Sequence, residues 1–163
     1  MGGTSASHPE ELSDVWRALA HDLGSPAYRS AISDLVGMDL RSAPVEVNLF
    51  HYGPGAELGA HLDLADKIVT QTMYFNADWE RGRGGCLKIL QSKQTTDVAA
   101  EISPIVGNSA ILVRSDKSWH AVTPVVNGST ESRRSLTATF YRPGSPSTLW
   151  PAGDTTPLHR HNG

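Results

Sequence analysis

In the stretch GAHLDLADK, residues 59–67, a histidine and an aspartate stand two apart: His61 and Asp63. Residues i and i+2 of an extended strand project from the same face, so an imidazole and a carboxylate here can hold one ion between them. Pairs of this type are also frequent by chance, and this one gains meaning only if a third ligand arrives from elsewhere. His8 and His21 lie in or before a helical pattern, His51 lies beside a turn, and His159 and His161 fall in a Pro- and Gly-rich tail. His120 alone opens an apolar, strand-like run. Two imidazoles and one carboxylate leave three positions open on a divalent ion, the facial arrangement suited to ferrous oxygen chemistry.

The segment ESRRSLTATFY, residues 131–141, adds a cation. On a strand, Arg133, Ser135, Thr137 and Thr139 share one face, and Arg134, Leu136, Ala138 and Phe140 share the other. If the apolar set packs against the body of the protein, Arg133 and Thr137 face a polar interior. An enclosed guanidinium needs an anion, and a carboxylate that accepts two parallel hydrogen bonds is its best geometric match. An internal glutamate, or exposure at the strand end, would satisfy it equally well.

The elements that must position these residues follow from periodicity. Ser7 and Glu10 form a capping-box pattern ahead of Leu12, Val15, Trp16, Leu19 and Leu23, which recur at helical spacing up to Gly24. Ser25-Pro26 restarts a helix, with Tyr28, Ile32, Leu35 and Val36 on one side and a stop at Gly37. Residues 1–6 read as a flexible leader. From residue 44 the period becomes two, in PVEVNLFHY, KIVTQTMYFN, GCLKILQ, SAILVR, WHAVTPVV and RRSLTATFYR, separated by Gly, Pro, Asn and Asp clusters. Helices over 8–37 followed by a β core over 44–142 predict a mainly β sandwich or barrel with helices packed outside it. One domain, 1–143, is expected, followed by a Pro/Gly/Ser/Thr-rich tail, 144–163.

Composition narrows the function classes. The 163 residues carry 17 acidic and 14 basic side chains, a net charge of −3, which argues against a duplex nucleic-acid binder. Cys86 is the only cysteine, so an internal disulfide and a thiolate zinc cluster are excluded. No signal-peptide core and no 18-residue apolar run are present. A cytoplasmic protein is expected, with no nucleic-acid or membrane partner, acting as monomer or homodimer.

Taken in order, YGPG, HLD, YFNADW, GGCLKIL, SWHAV and RRSLT resemble the Fe(II)/2-oxoglutarate-dependent dioxygenases, nearest to the prolyl-4-hydroxylase branch. The resemblance covers about residues 44–142 and implies a double-stranded β-helix (jelly roll) with N-terminal helices on one sheet. It implies Fe(II) on His61, Asp63 and His120, and 2-oxoglutarate with its distal carboxylate on Arg133 and Tyr74. Tyr52, Leu87 and Thr137 would line the same pocket. It further implies O2 as oxidant, ascorbate as an available reductant, release of succinate and CO2, and hydroxylation of an unactivated C–H. The carboxylate at Asp63 favours hydroxylation over halogenation, because halogenating relatives carry Gly or Ala there.

Departures from the family pattern bear on substrate. Thr139 stands where many relatives have tryptophan, which suggests a more open wall. The segment between His120 and Arg133 is longer, and that between Asp63 and Tyr74 shorter, than in the hypoxia-sensing relatives. Nucleic-acid demethylases carry a second arginine where this chain has Thr139. Asn48, Trp79, Arg81, Arg83, Arg114, Lys117 and Trp119 are candidates for the rim. An amino acid, a peptide or a natural-product intermediate is the expected substrate. The alternatives are a prolyl hydroxylase acting on a protein and a cupin-type metal-dependent isomerase or epimerase; the latter would need neither Arg133 nor Tyr74.

Overall fold

The computed structural model describes residues 4–5 and 13–145, so the Ser7–Glu10 capping box and the chain beyond 145 lie outside the described residues. Helix α1, Asp14–Gly24, turns Trp16, Leu19 and Leu23 toward the body of the protein. Val15, read as part of that apolar face, is 77 % exposed. Helix α2, Pro26–Val36, starts as its sequence predicts: Ser25 Oγ accepts a hydrogen bond from the Tyr28 amide at 3.2 Å, and proline occupies the first turn. It ends on Gly37, whose φ of 68° gives the left-handed cap that glycine adopts without penalty. Tyr28, Ile32 and Val36 pack against Leu40, Val69 and Phe140, but Leu35, placed with them by spacing, is 69 % exposed. Two helices of this length cover only a narrow stripe of sheet, which leaves these two residues in water.

Nine strands form two antiparallel sheets among the described residues. They are β1 (Thr4–Ser5), β2 (Val45–Tyr52), β3 (Leu58–His61), β4 (Lys67–Tyr74), β5 (Leu87–Leu90), β6 (Val98–Ile102), β7 (Ser109–Val113), β8 (His120–Val122) and β9 (Arg133–Tyr141). The larger sheet runs β1-β2-β9-β4-β7 and the smaller runs β3-β8-β5-β6. Their facing surfaces share one core, Tyr52, Tyr74, Trp79, Leu87, Val122 and Val125. This is the double-stranded β-helix expected from the sequence. Two corrections concern its edges. Thr4–Ser5, read as leader, pairs with Asn48–Leu49 as a short edge strand. The VAAEI segment of β6, passed over because its small and charged residues show no clean alternation, pairs with β5.

Register divides the larger sheet into two faces. Val45, Val47 and Leu49 of β2 lie opposite Phe140, Ala138 and Leu136 of β9, and this apolar face carries the helices. Tyr52, Phe50 and Asn48 lie opposite Arg133, Ser135 and Thr137, and on the other side of β9 Tyr74 and Thr72 lie opposite Ser135 and Thr137. A strand's period of two therefore sorts the sheet: the outer face packs the helices, while the inner face sets Phe50, Tyr52 and Tyr74 among Arg133, Ser135 and Thr137.

Candidate metal centre and cosubstrate pocket

His61 closes β3 and His120 opens β8, and the two are direct cross-strand partners with ring centroids 4.2 Å apart. A register irregularity between Leu58 and His61 brings them into line. Each ring is oriented by its own backbone. His61 Nδ1 lies 2.8 Å from the Gly59 carbonyl oxygen and His120 Nδ1 lies 2.9 Å from that of Ser118. Because a carbonyl only accepts, both Nδ1 atoms carry the proton and both Nε2 atoms offer lone pairs, the tautomer a metal requires. Asp63 is not on the strand as its spacing suggested. The strand ends at His61, and Asp63 lies in the 62–66 connection to β4. Even so, ligand atoms of His61, Asp63 and His120 all lie within 4.8 Å of one another.

Charge around the trio keeps it ready for a cation. Burial lowers the His61 pKa, with His120 and Lys67 adding to the effect against the Gly59 hydrogen bond and Asp63, so its imidazole stays neutral. Burial alone would raise the Asp63 pKa, but the Lys67 ammonium beside it brings the net shift down, and the carboxylate stays ionised. Lys67 Nζ donates to Asp63 Oδ1 at 2.7 Å, Thr70 Oγ1 stands 3.5 Å from Oδ2, and Arg114 Nε reaches the Asp63 carbonyl at 3.4 Å. Sequence reasoning passed over Lys67 as a site residue; its only signal was a place four residues after Asp63.

Arg133 lies on the inner face of β9 and is 3 % exposed, whereas Arg134 is exposed. Its Nε donates to the Gly85 carbonyl at 2.8 Å and Nη1 donates to Ser135 Oγ at 2.9 Å, so the guanidinium is held between the turn before β5 and its own strand. It lies 5.1 Å from the Tyr52 ring centroid and 5.2 Å from that of Tyr74. Among the described residues no carboxylate lies within ion-pair distance of it. An unpaired buried charge costs several kcal/mol. Opposite it the Tyr74 hydroxyl is buried and faces the Arg133 guanidinium, with no other hydrogen-bond partner. Burial raises the pKa of Tyr52 and of Tyr74 despite the nearby cation, so both phenols stay protonated donors. Leu87, 3 % exposed, belongs to the same core cluster, and Thr137 is half-buried between Asn48 and Thr72. A buried cation without a counter-ion, beside a hydroxyl that has no partner but that cation, fits the carboxylate of a diacid, and the N, N, O set fits a divalent metal.

The rim candidates divide. Arg81 pairs with Glu101 and Arg83 with Glu131, while Trp79 is 5 % exposed and donates its indole N–H to the Gly84 carbonyl. Trp79 is therefore core. Thr139 does not leave an open wall: it is 3 % exposed and its hydroxyl lies 3.3 Å from that of Thr70. Sequence places Ser135 on the Arg133 face and Gly85 in the GGCLKIL motif, but gives neither a role. Gly85 meets Arg133 across 48 residues of chain, and nothing local marks such a contact.

A jelly roll with this inner face defines a class, and comparison with known proteins agrees. Residues 47–142 match the model of the 2OG-Fe(II) oxygenase superfamily, and the chain belongs to that superfamily. A prolyl-4-hydroxylase from Pseudomonas putida is 26 % identical and superposes with a TM-score of 0.63 over 81 % of this chain and 65 % of that one. Two more distant structures share the fold. A prolyl 4-hydroxylase from Phytophthora capsici is 18 % identical (TM-score 0.60, 91 % of this chain and 50 % of that one). A prolyl hydroxylase from Trichoplax adhaerens, solved with a hypoxia-inducible factor peptide fragment, is 20 % identical (TM-score 0.50, 69 % and 53 %). The chain thus spans between half and two thirds of the length of these structures. No curated protein matches it in sequence. No described helix is long and apolar enough to cross a membrane.

Proposed function

We propose that the protein is an Fe(II)- and 2-oxoglutarate-dependent hydroxylase acting on an unactivated C–H of an amino acid, peptide or natural-product intermediate. His61 and His120 through Nε2, and Asp63 through one carboxylate oxygen, would hold the ferrous ion. Arg133 and the Tyr74 hydroxyl would take the distal carboxylate of 2-oxoglutarate, with Tyr52 and Leu87 as walls and Thr137 as a hydroxyl along its length. When bound, iron and 2-oxoglutarate supply the oxidising power, with O2 placing one oxygen atom in the product hydroxyl and the other in succinate as CO2 leaves.

The protein's own contribution is placement. The Gly59 and Ser118 carbonyls hold the two Nδ1–H groups and so turn both Nε2 atoms toward the metal position. The Gly85 carbonyl and Ser135 hydroxyl hold the guanidinium in a fixed direction, which lowers the ordering cost of capturing the diacid. The buried rings of Tyr52 and Tyr74 keep water from the far end of that pocket.

The observation that carries the reading is the buried Arg133 guanidinium with no carboxylate partner, on the sheet face that also meets the His61–Asp63–His120 cluster. A cupin-type isomerase has no use for that cation or for a buried Tyr74 hydroxyl turned toward it. Anaerobic addition of Fe(II) and 2-oxoglutarate should give a weak visible charge-transfer band, and folded protein without the band refutes the reading. Succinate release in the presence of ascorbate, stimulated by members of an amino-acid and peptide panel, identifies the substrate. Peptidyl proline belongs in that panel because the Pseudomonas putida structure is a prolyl-4-hydroxylase.

A further inference from the structure

The ion pair between Lys67 and Asp63 is set by the fold rather than by chance on a surface. Lys67 is the first residue of β4, and on a regular strand it would share the helix-facing side with Val69, Gln71 and Met73. The register shows otherwise. Val69 lies opposite Phe140, whereas Lys67 lies opposite Tyr141, so two steps along β4 answer one step along β9. This is a bulge, and its extra residue turns Lys67 onto the inner face, which Thr70, Thr72 and Tyr74 also line. There Nζ meets Asp63 Oδ1 at 2.7 Å, with only 23 % of the lysine side chain and 10 % of the aspartate side chain exposed. Main-chain contacts place the connection without this pair: the Arg142 amide donates to the Asp66 carbonyl, Arg142 Nε to that of Ala65, and Arg114 Nε to that of Asp63. The loop is already held, which leaves the carboxylate as what Lys67 acts upon.

A carboxylate with two free oxygens can chelate a divalent ion through both. An ammonium is a compact donor that engages one of them. On the reading that His61, Asp63 and His120 hold a metal, we infer that Lys67 is a positioning residue that reserves Asp63 Oδ1 at 2.7 Å, leaving Oδ2 for the ion. That second oxygen accepts only a long hydrogen bond, from Thr70 Oγ1 at 3.5 Å. Asp63 then fills a single coordination position. The positions this would leave open are where 2-oxoglutarate and O2 would supply the chemistry. The inference rests on the functional reading above and adds to it the residue that sets the denticity of the aspartate.

Co(II) serves as the probe, because its visible d–d spectrum reports coordination number without turnover. Wild type, Lys67→Met and Lys67→Arg are compared after circular dichroism shows which of them fold. In Lys67→Met the methionine cannot donate and a cationic neighbour of the ion is gone. It should bind Co(II) at least as tightly as wild type, show an altered d–d spectrum, and bind 2-oxoglutarate to the Co(II) protein at least tenfold more weakly. In Lys67→Arg the guanidinium fork can occupy both oxygens. Co(II) should bind at least tenfold more weakly there, although charge and fold are kept; a merely structural ion pair would tolerate this change. A wild-type spectrum and wild-type 2-oxoglutarate affinity in Lys67→Met overturn the inference, and so does loss of Co(II) binding in that variant. If Lys67→Met does not fold, Lys67→Arg decides, and wild-type Co(II) affinity in it overturns the inference. Wild-type protein that binds Co(II) but not 2-oxoglutarate refutes the functional reading, while the Co(II) affinities and spectra still judge Lys67.

Discussion

Two adjacent arginines on β9 offer a direct test of which atoms do what. Arg133 is enclosed and Arg134 is exposed. Arg133→Ala removes a charge-assisted donor pair of the sort worth about 1.5–3 kcal/mol, so the 2-oxoglutarate KM should rise about tenfold to a hundredfold. Arg134→Ala should leave it within about twofold, and the opposite ranking in succinate-release kinetics would invert the assigned faces. The two faces were readable from RRSLTATFY, because the apolar residues at 136, 138 and 140 alternate with Arg133, Ser135 and Thr137. That Arg133 is enclosed rather than exposed at the strand end was not. Asp63 was legible in kind but not in place. Its spacing from His61 suggested one strand, yet the chain leaves the sheet at His61, and contacts from Arg114, some fifty positions later in the chain, settle where the aspartate goes. Thr139 shows the limit of arguing from side-chain size. A smaller residue opens space only if neighbours leave it, and Thr70 does not.

The turn before β5 is the element on which the guanidinium depends. Gly84 has φ 71°, and a Cβ there would stand 1.8 Å from the Pro124 carbonyl oxygen, inside any tolerable contact. Gly84→Ala should therefore destabilise the protein by about 3 kcal/mol or more, or prevent folding, as urea denaturation would show. At Gly85 the same atom would meet Arg133 Cδ at 3.2 Å and Trp79 Cζ2 at 3.3 Å. Gly85→Ala should cost less stability and act mainly through Arg133, raising the 2-oxoglutarate KM. Helix α2 offers a test by pH. Tyr28 stacks on Phe140 and donates its hydroxyl to Gln71 Oε1 at 2.7 Å, and burial pushes its pKa up to about 12. Because the folded value is raised above the unfolded 10.0, the stabilisation is complete below pH 10 and fades as pH rises toward 12. Tyr28→Phe should lose about 1 kcal/mol at pH 8 and less than that by pH 11.5 in paired thermal melts. The α2 cap and the six read strand runs were plain in the sequence because each is a local pattern. The exposure of Val15 and Leu35, the pairing of β6 and the bulge at Lys67 were not, since each depends on what another part of the chain leaves uncovered or brings alongside.

For the molecule as a whole, two helices on one sheet and a second sheet facing it give a small enclosed volume with ionisable groups inside. Ligands that satisfy those groups bind only the folded state and so should raise its melting temperature. At about a hundred times the dissociation constant the gain is about 2.7 kcal/mol, which for a chain of this size corresponds to about 5–10 °C. Anaerobic melts with Mn(II) and 2-oxoglutarate together should show such a rise, and neither the His61→Ala nor the Arg133→Ala variant should show all of it. The gross architecture followed from composition and period, because helices first and short strands afterwards leave few ways to bury a core. Arg133 carries one last implication. A guanidinium walled by two phenol rings discriminates at one end of its guest only, by charge and reach. Succinate, glutarate, citrate and the anions of common buffers should all contend for that end, so apparent cosubstrate affinity will depend on the medium in which the protein is kept.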